Sequence, residues 1–442
     1  MLLKFCSTAP LRQLKRAHFD VKSIVKNLPQ HLASIKARQL ATEDELVAQL
    51  HNLPAQQEDL RQLSTEKVEI QTLRKATERK IKQDASRDHE LRDQLKSLKT
   101  EFQSTSEKHR QLQEVVYETC LSLPNLVEDS VPAEEPELVQ WVNPLSMYRA
   151  EPARDHVQIL VRKGLVDFKA GADITGSSWY YLLGDAALLE QALIAYATAR
   201  ARKQGFSMCI PPSIARCEII DACGFRPRDM NNEQQIYHIA DSQLGLTATA
   251  EIPLAGLAAN RVLDLSSGPR KVCGVSRSYR AEAGARGKDT RGLYRVHEFT
   301  KVELFCWCTP EESTRILEEL REFQTTIVSE LGLPAKVLNM PANDLGAPAY
   351  KKYDVEAWMP GRGSFGEITS TSNCLDFQSR RMHTKFKTSP QEKPRYAHTL
   401  NGTAMAIPRV ILAIVENFYN PGTDKIAIPL VLHPYMDNKT EI

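Results

Sequence analysis

Residues 279–303 read YRAEAGARGKDTRGLYRVHEFTKVE. The stretch leaves one run of strand character, Gly274 to Tyr279, passes through a Gly/Asp-containing loop, and returns in a second run, Thr300 to Cys308. Arg280 and Arg295 bracket that loop, and two guanidinium forks facing one cleft suit a polyphosphate. Phe299 offers an aromatic plane to a base, Glu282 can accept from an exocyclic amine, and Glu303 presents a carboxylate to an ammonium group. Standing alone, the same residues would describe an exposed hairpin with ordinary surface charges.

Outward from this hairpin, short apolar runs alternate with long helical stretches. Ala347 to Met359 reads as a further strand. Ala186 to Gln204 reads as a helix stopped by Gly205, a second helix starts near Pro310 and runs to Leu331, and a third covers Arg409 to Phe418 behind Pro408. Strands broken by long helices predict an α+β fold around an antiparallel sheet.

The N-terminal part has a different character. From Ala55 to Thr119 there is neither glycine nor proline, and Leu91, Leu95, Leu98, Phe102, Thr105, His109, Leu112 and Val116 follow alternating steps of four and three. Leu60, Leu63, Ile70, Leu73 and Ile81 recur at helical spacing before them. One helix of that length would expose its seam, so two antiparallel helices turning near Asp84 to Ser86 are expected, as an arm over 55–119. Arg74, Lys75, Arg79, Lys80, Lys82 and Arg87 crowd its tip and could meet a phosphate backbone; the plainer reading is a solvated helical face. Leu123 to Pro136, acidic and proline-containing, reads as a linker.

Lys and Arg number 57 against 55 Asp and Glu, a net charge of +2, so a nucleic-acid partner has to be met by a local basic patch. No stretch approaches the roughly 20 apolar residues that cross a bilayer, and no membrane role is expected. Nine scattered cysteines without a Cys-x-x-Cys pair suit reduced thiols, and Cys306 and Cys308 read as packing residues. Met1 to Phe19 carries Lys4, Arg12, Lys15 and Arg16 and no acidic residue, the composition of an organelle import sequence.

Several of these segments together resemble the seryl-tRNA synthetases, members of the class II aminoacyl-tRNA synthetases. Residues 279–303 resemble the second class-defining motif. Thr249-Ala250-Glu251 resembles the serine-binding segment, Tyr353 to Gly361 with Glu367 to Asn373 the metal and ATP strand, and Thr399 to Thr403 with Ala406 to Arg409 the third motif. His433-Pro434-Tyr435-Met436 resembles the usual ending. Gly366, where many bacterial members carry arginine before the glutamate, resembles the mitochondrial members.

The resemblance implies a serine–tRNA ligase using ATP and Mg2+, with serine and tRNA(Ser) as partners and a homodimeric state. It implies that Thr249, Glu251, Glu303, Asn401 and Thr403 hold serine, and that Arg280, Glu282, Arg295, Val296, Phe299, Glu367, Ser370 and Arg409 bind ATP. Glu367 and Ser370 would also hold the metal, Arg280, Arg409 and Glu367 would carry the chemistry, and His297 would be structural. The implied organisation is an import sequence over 1–18, an RNA-binding domain over 19–120, a linker over 121–150 and a catalytic domain over 151–442. The expected compartment is the mitochondrial matrix, with the cytoplasm as the alternative. A catalytically silent relative that binds RNA or protein is the competing reading; it should have lost Arg280, Glu303 or Arg409, and all three are present.

Overall fold

The strand that returns from the hairpin loop, Glu298–Cys308, is buried along all but its first residue. Side chains alternate faces along a strand, and this one divides accordingly. Val302, Leu304, Cys306 and Cys308 enter one core, whereas Phe305 and Trp307 enter another on the opposite face. Phe299, Lys301 and Glu303 therefore share the face of Phe305 and Trp307.

The computed structural model describes residues 14–83, 88–225, 235–281 and 292–442. The chain divides into two compact units, Phe19–Leu126 and the body from Val127 to Ile442, which also includes the described residues ahead of Phe19. An eight-stranded sheet organises the body. Its strands, in chain order, are β1 (Glu137–Val142), β2 (Ser207–Cys209), β3 (Arg270–Tyr279), β4 (Glu298–Cys308), β5 (Ala335–Asn339), β6 (Lys351–Met359), β7 (Ser364–Asn373) and β8 (His398–Ala406). The spatial order is β1-β5-β6-β7-β8-β4-β3-β2. Every neighbouring pair is antiparallel except β2 with β3. The α+β antiparallel architecture expected from the sequence is the one observed.

Two boundaries differ from expectation. The strand read from Ala347 starts at Lys351 because the Ala349 N–H donates to the Gly346 carbonyl at 3.0 Å and closes a turn around Pro348. The segment 121–150, read as a linker, contains β1, an edge strand paired with β5. At the start of the body, the Leu14 N–H donates to Glu218 Oε2 at 3.2 Å and the His18 ring stacks on Tyr396 at 6.0 Å, so the described end of the 1–18 segment packs against folded structure.

The N-terminal unit begins with α1 (Val21–Lys26) and α2 (Leu28–Ala37) and continues into two long helices, α3 (Glu43–Gln83) and α4 (Asp88–Ser122). They are antiparallel: Ser64 meets His109 at 3.0 Å, Glu66 accepts from Thr105 at 3.0 Å, and Arg74 lies over the Phe102 ring at 5.3 Å. All eight predicted seam positions of α4 are buried or half-buried. Leu73 is not part of the α3 seam, being 55% exposed; the seam passes instead through Ile70, Arg74 and Thr77. The expected turn at Asp84 to Ser86 lies outside the described residues.

The first helix also starts twelve residues earlier than the arm's expected start at Ala55, with Pro54 inside it. An interior proline costs about 3 kcal/mol. Leu50 and Leu53 are fully buried beside it, in a small core with Leu46, Val116, Cys120 and Leu123. Burying two leucines contributes roughly 3–6 kcal/mol, enough to hold the helix through the proline.

The remaining body helices used below are α5 (His156–Arg162), α6 (Gly184–Lys203), α7 (Glu251–Gly256), α8 (Ser313–Glu330), α9 (Phe377–Met382) and α10 (Ile407–Phe418). The Asp155 side chain caps α5, accepting from Val157 and Gln158 N–H. Helix α8 is preceded by a 3-10 turn, Pro310–Glu312, with a Thr309/Glu312 capping box. Pro408 occupies the first turn of α10, where its missing N–H costs nothing, and the helix follows β8 without a gap, so Arg409 emerges at the end of the sheet.

Candidate active site

The hairpin loop is closed at its base by the Arg280 N–H, which donates to the His297 carbonyl at 2.8 Å. The Arg280 guanidinium lies over the Phe299 ring at 5.3 Å, and its Nε is 3.5 Å from the Ala248 carbonyl. It faces a cleft of about 230 Å3, which is also lined by Arg295, Val296, Phe299, Lys301, Glu367, Ser370, Thr403 and Arg409.

Arg409 and Glu367 form the far wall. Arg409 Nη1 donates both to Glu367 Oε2 and to the Glu367 carbonyl at 3.0 Å, while its Nε donates to the Tyr294 carbonyl at 3.2 Å. Desolvation alone would raise the Glu367 carboxyl, but Arg409, Lys352 and Arg280 outweigh it and hold it well below the ordinary carboxylate range. Glu367 is therefore ionised at neutral pH.

A second group of predicted residues meets deeper in the body. Glu251 is buried at the start of α7, and its Oε1 accepts from Gln378 Nε2 at 2.6 Å and from Asn401 Nδ2 at 2.8 Å. The Glu251 N–H donates to Thr249 Oγ1 at 3.3 Å. Glu303, only 1% exposed, is paired with Lys301 Nζ at 2.7 Å, and Thr403 Oγ1 donates to it at 3.4 Å. The β4–β8 register makes this last contact inevitable, since Glu303 stands opposite Thr403.

Burial, with a contribution from nearby Glu303, pushes the Glu251 carboxyl up from its ordinary 4.5 to about 7. Held neutral, it stabilises the fold below pH 4.5, and that contribution is lost as pH rises through 7. Its charged form, the one that attracts an ammonium group, grows over the same interval. For an amino-acid substrate bound here, kcat/KM is expected to rise about tenfold per pH unit below 7 and to flatten above it. A Glu251→Gln variant should lose that limb of the profile, and an unchanged profile in the variant would contradict the assignment.

The site thus has a cationic end, the cleft itself, fit for phosphates, and a buried acidic end behind Lys301 and Thr403 of its lining, fit for an ammonium and a hydroxyl group. Residues 237–418, which carry both ends, match the tRNA synthetase class II core domain (G, H, P, S and T). Over 431 residues the chain is 54% identical to the mitochondrial serine–tRNA ligase of Saccharomyces cerevisiae, with 97% of each covered. The chain belongs to the serine–tRNA ligase family.

Among solved structures, the seryl-tRNA synthetase of Pyrococcus horikoshii complexed with ATP superposes with a TM-score of 0.87 at 32% identity, over 96% of this chain and 99% of that one. The cytoplasmic serine–tRNA ligase of Naegleria fowleri in complex with AMP gives 0.82 at 25% identity, over 97% and 99%.

For a serine–tRNA ligase the sequence reading located most of the cleft. Arg280, Arg295, Val296, Phe299, Glu367, Ser370, Thr403 and Arg409 line it together. Thr249, Glu251 and Asn401 form one hydrogen-bonded group, and Glu303 pairs with Thr403. Glu282 and Arg87 lie outside the described residues. Lys75, Arg79, Lys80 and Lys82 are exposed on α3, whereas Arg74 is half-buried over Phe102. His297 stacks on Trp179 at 5.8 Å and contacts the Tyr237 hydroxyl at 2.7 Å. Cys374, Cys306 and Cys308 are buried.

Four contributors were not singled out in the sequence. Lys301 lies between Phe299 and Glu303 on the same strand face, so alternation alone would have located it. Gln378 and Gln324 carry no local signal; Gln324 Nε2 donates to the Ser370 and Thr403 carbonyls at 2.7 and 2.9 Å and ties β7 to β8. Asp354 stands opposite Ser370 across the β6–β7 ladder and is held by Lys352 Nζ at 2.8 Å.

The donors present fit a divalent cation. Glu367 and Ser370 supply a carboxylate and a hydroxyl oxygen at the cleft wall, and a hard ion of this kind completes its shell with water and phosphate oxygens. Asp354 Oδ1, buried on the adjoining strand, has no hydrogen-bond partner among the described residues.

Proposed function

We propose that the chain is a serine–tRNA ligase of the mitochondrial matrix, joining serine to tRNA(Ser) at the expense of ATP. The observation that carries this reading is that Arg280, Arg409 and Glu367 line a single cleft together with Lys301 and Thr403, and that Glu303, buried behind these last two, pairs with both, with Glu251 nearby.

In the first step a serine carboxylate oxygen attacks the α-phosphorus of ATP, the bond to the β-phosphate oxygen breaks, and pyrophosphate leaves. Arg280 stabilises the charge that develops on the α-phosphoryl oxygens, and Arg409 binds the far end of the triphosphate. Phe299 and Val296 hold the base, with Arg295 on the phosphate side and Glu282 at the exocyclic amine. Glu367 and Ser370 would hold Mg2+, which would supply neutralisation of phosphate charge when bound. Glu303 and Glu251 receive the serine ammonium and hydroxyl groups, with Thr249, Asn401 and Thr403 completing the hydrogen bonds. Those partners are buried, so an alanine substrate would leave them unpaired, a penalty large enough for strong rejection. In the second step the terminal ribose hydroxyl of the RNA attacks the seryl carbonyl and AMP leaves. No protein nucleophile is needed.

The exposed bases of α3, Lys75, Arg79, Lys80 and Lys82, would meet the RNA backbone, together with Arg87 and, more weakly, the half-buried Arg74. A homodimer is the expected state. In its support, Met208, Ile210 and Ile214, on and after the edge strand β2, are exposed in the single chain. The matrix assignment rests on the basic, acid-free start of the chain and on its likeness to the yeast mitochondrial enzyme.

Aminoacylation of purified organellar RNA by the recombinant chain, with cytosolic RNA alongside, tests the proposal. Seryl transfer to the organellar fraction is expected. Failure to charge either RNA would remove the reading, and charging of cytosolic RNA alone would remove the compartment.

A further inference from the structure

Behind the cationic end of the cleft lies a buried pair of residues that meets the cleft lining only through Leu293. His156 is the first residue of α5 and Glu416 belongs to the last turns of α10; their side chains are 8% and 1% exposed, and His156 Nδ1 is 2.8 Å from Glu416 Oε1. The other ring nitrogen, Nε2, accepts from the Leu293 N–H at 3.2 Å. That bond settles the tautomer: Nε2 must be bare, so the ring proton sits on Nδ1 and is donated to Glu416. The second carboxylate oxygen, Oε2, accepts from the Arg362 N–H at 3.1 Å. A buried carboxylate requires such donors, and here they come from separate segments of the body.

What the pair holds is the limb by which the hairpin loop re-enters the sheet. The residue after Leu293 is Tyr294, on whose ring both Arg362 and Arg409 lie, at 3.7 and 4.7 Å from its centroid. The Tyr294 carbonyl accepts from Arg409 Nε, and Arg409 in turn grips Glu367. Two glycines make room for this assembly. A Cβ on Gly292, whose φ is +73°, would come within 2.2 Å of His156 Nε2, and one on Gly366 within 2.6 Å of Tyr294 Cε2.

We infer that His156 is a positioning residue for ATP: its Nε2 fixes Leu293, and through it Tyr294, so that Arg409 stands pre-oriented toward the polyphosphate, while Glu416 anchors the ring in the fold. This role rests on the ATP reading of the cleft. The chain of contacts ends at Arg409 and Glu367 and does not reach Glu251 or Glu303, so the effect falls on ATP and spares serine. Preorganised groups of this kind act through side chains locked by neighbouring hydrogen bonds.

The two ring nitrogens can be separated by substitution. His156→Asn places an amide near the position of Nδ1 and keeps a donor for Glu416 while abandoning Leu293. His156→Gln reaches the position of Nε2 and keeps an acceptor for Leu293 while abandoning Glu416. In serine-dependent pyrophosphate exchange, H156N is expected to raise the KM for ATP about tenfold and to leave the KM for serine within about twofold, with thermal unfolding within a few degrees of the parent. H156Q should unfold at a lower temperature yet keep its KM for ATP within about threefold of the parent. Gly292→Ala, which crowds the same nitrogen from the loop side, should reproduce the ATP defect; it serves as the test if H156N does not fold.

An unchanged KM for ATP in H156N, or a rise shared equally by ATP and serine, overturns the role. Calorimetric binding of ATP to the unsubstituted chain tests the underlying reading separately. Absence of ATP binding there removes the cleft assignment and this role with it, whereas normal binding with a silent H156N removes this role alone.

Discussion

Arg280→Ala is expected to lower serine-dependent pyrophosphate exchange by about 10³-fold, because removing one preorganised group that meets developing transition-state charge costs about two to three decades in rate. Arg280 follows directly on the last residue of β3, with its backbone tied to His297 and its guanidinium resting on Phe299. That placement is set before substrate arrives, so the group does not reorganise when charge develops. The substitution leaves the sheet intact, and the unfolding temperature should change by only a few degrees, about what a loss of 1 kcal/mol produces. The KM for serine should stay within a few-fold, since the Glu251 and Glu303 contacts are untouched. Charging of RNA should fall in parallel, as no adenylate is formed. A variant that exchanges within tenfold of the parent would show that Arg280 does not face the reacting phosphate.

The second large effect concerns the helical hairpin. Replacing residues 62–109 by a short glycine–serine turn should reduce RNA charging by about 10³-fold, the scale expected when several phosphate contacts are lost together. Exchange should stay within about twofold. The choice of ends comes from the packing: Leu46, Leu50, Leu53, Val116, Cys120 and Leu123 form the small core of that unit and must be kept. Deleting from residue 55 through 119 would cut into this core by removing Val116, and would confuse loss of RNA contact with loss of folding. Charging that survives the shorter deletion would contradict the role of the arm.

Much of this was legible in the sequence, for identifiable reasons. The α4 seam was visible because leucine and aromatic residues recur at alternating steps of four and three, and every one of those positions is covered. The partner helix was harder to read because Arg74 and Thr77 occupy seam positions with polar side chains, while Leu73 faces solvent. Pro54 looked like a boundary; the buried leucines beside it decide otherwise. Around the cleft, residues in contiguous motifs were found, since a strand's alternation puts Phe299 and Glu303 on one face. The supports were not. His156 reaches Leu293 across 137 positions and Glu416 across 260, and no local pattern encodes a partner at that distance. The same holds for Gln378 on Glu251, 127 positions apart.

The most direct test of the central claim is amino-acid-dependent exchange of labelled pyrophosphate into ATP by the purified full chain, with serine, threonine and alanine compared. The cleft described here predicts rapid exchange with serine and at least about 10²-fold less with alanine, whose missing hydroxyl leaves buried partners unpaired. Exchange that is absent with serine, or no faster with serine than with alanine, would contradict it.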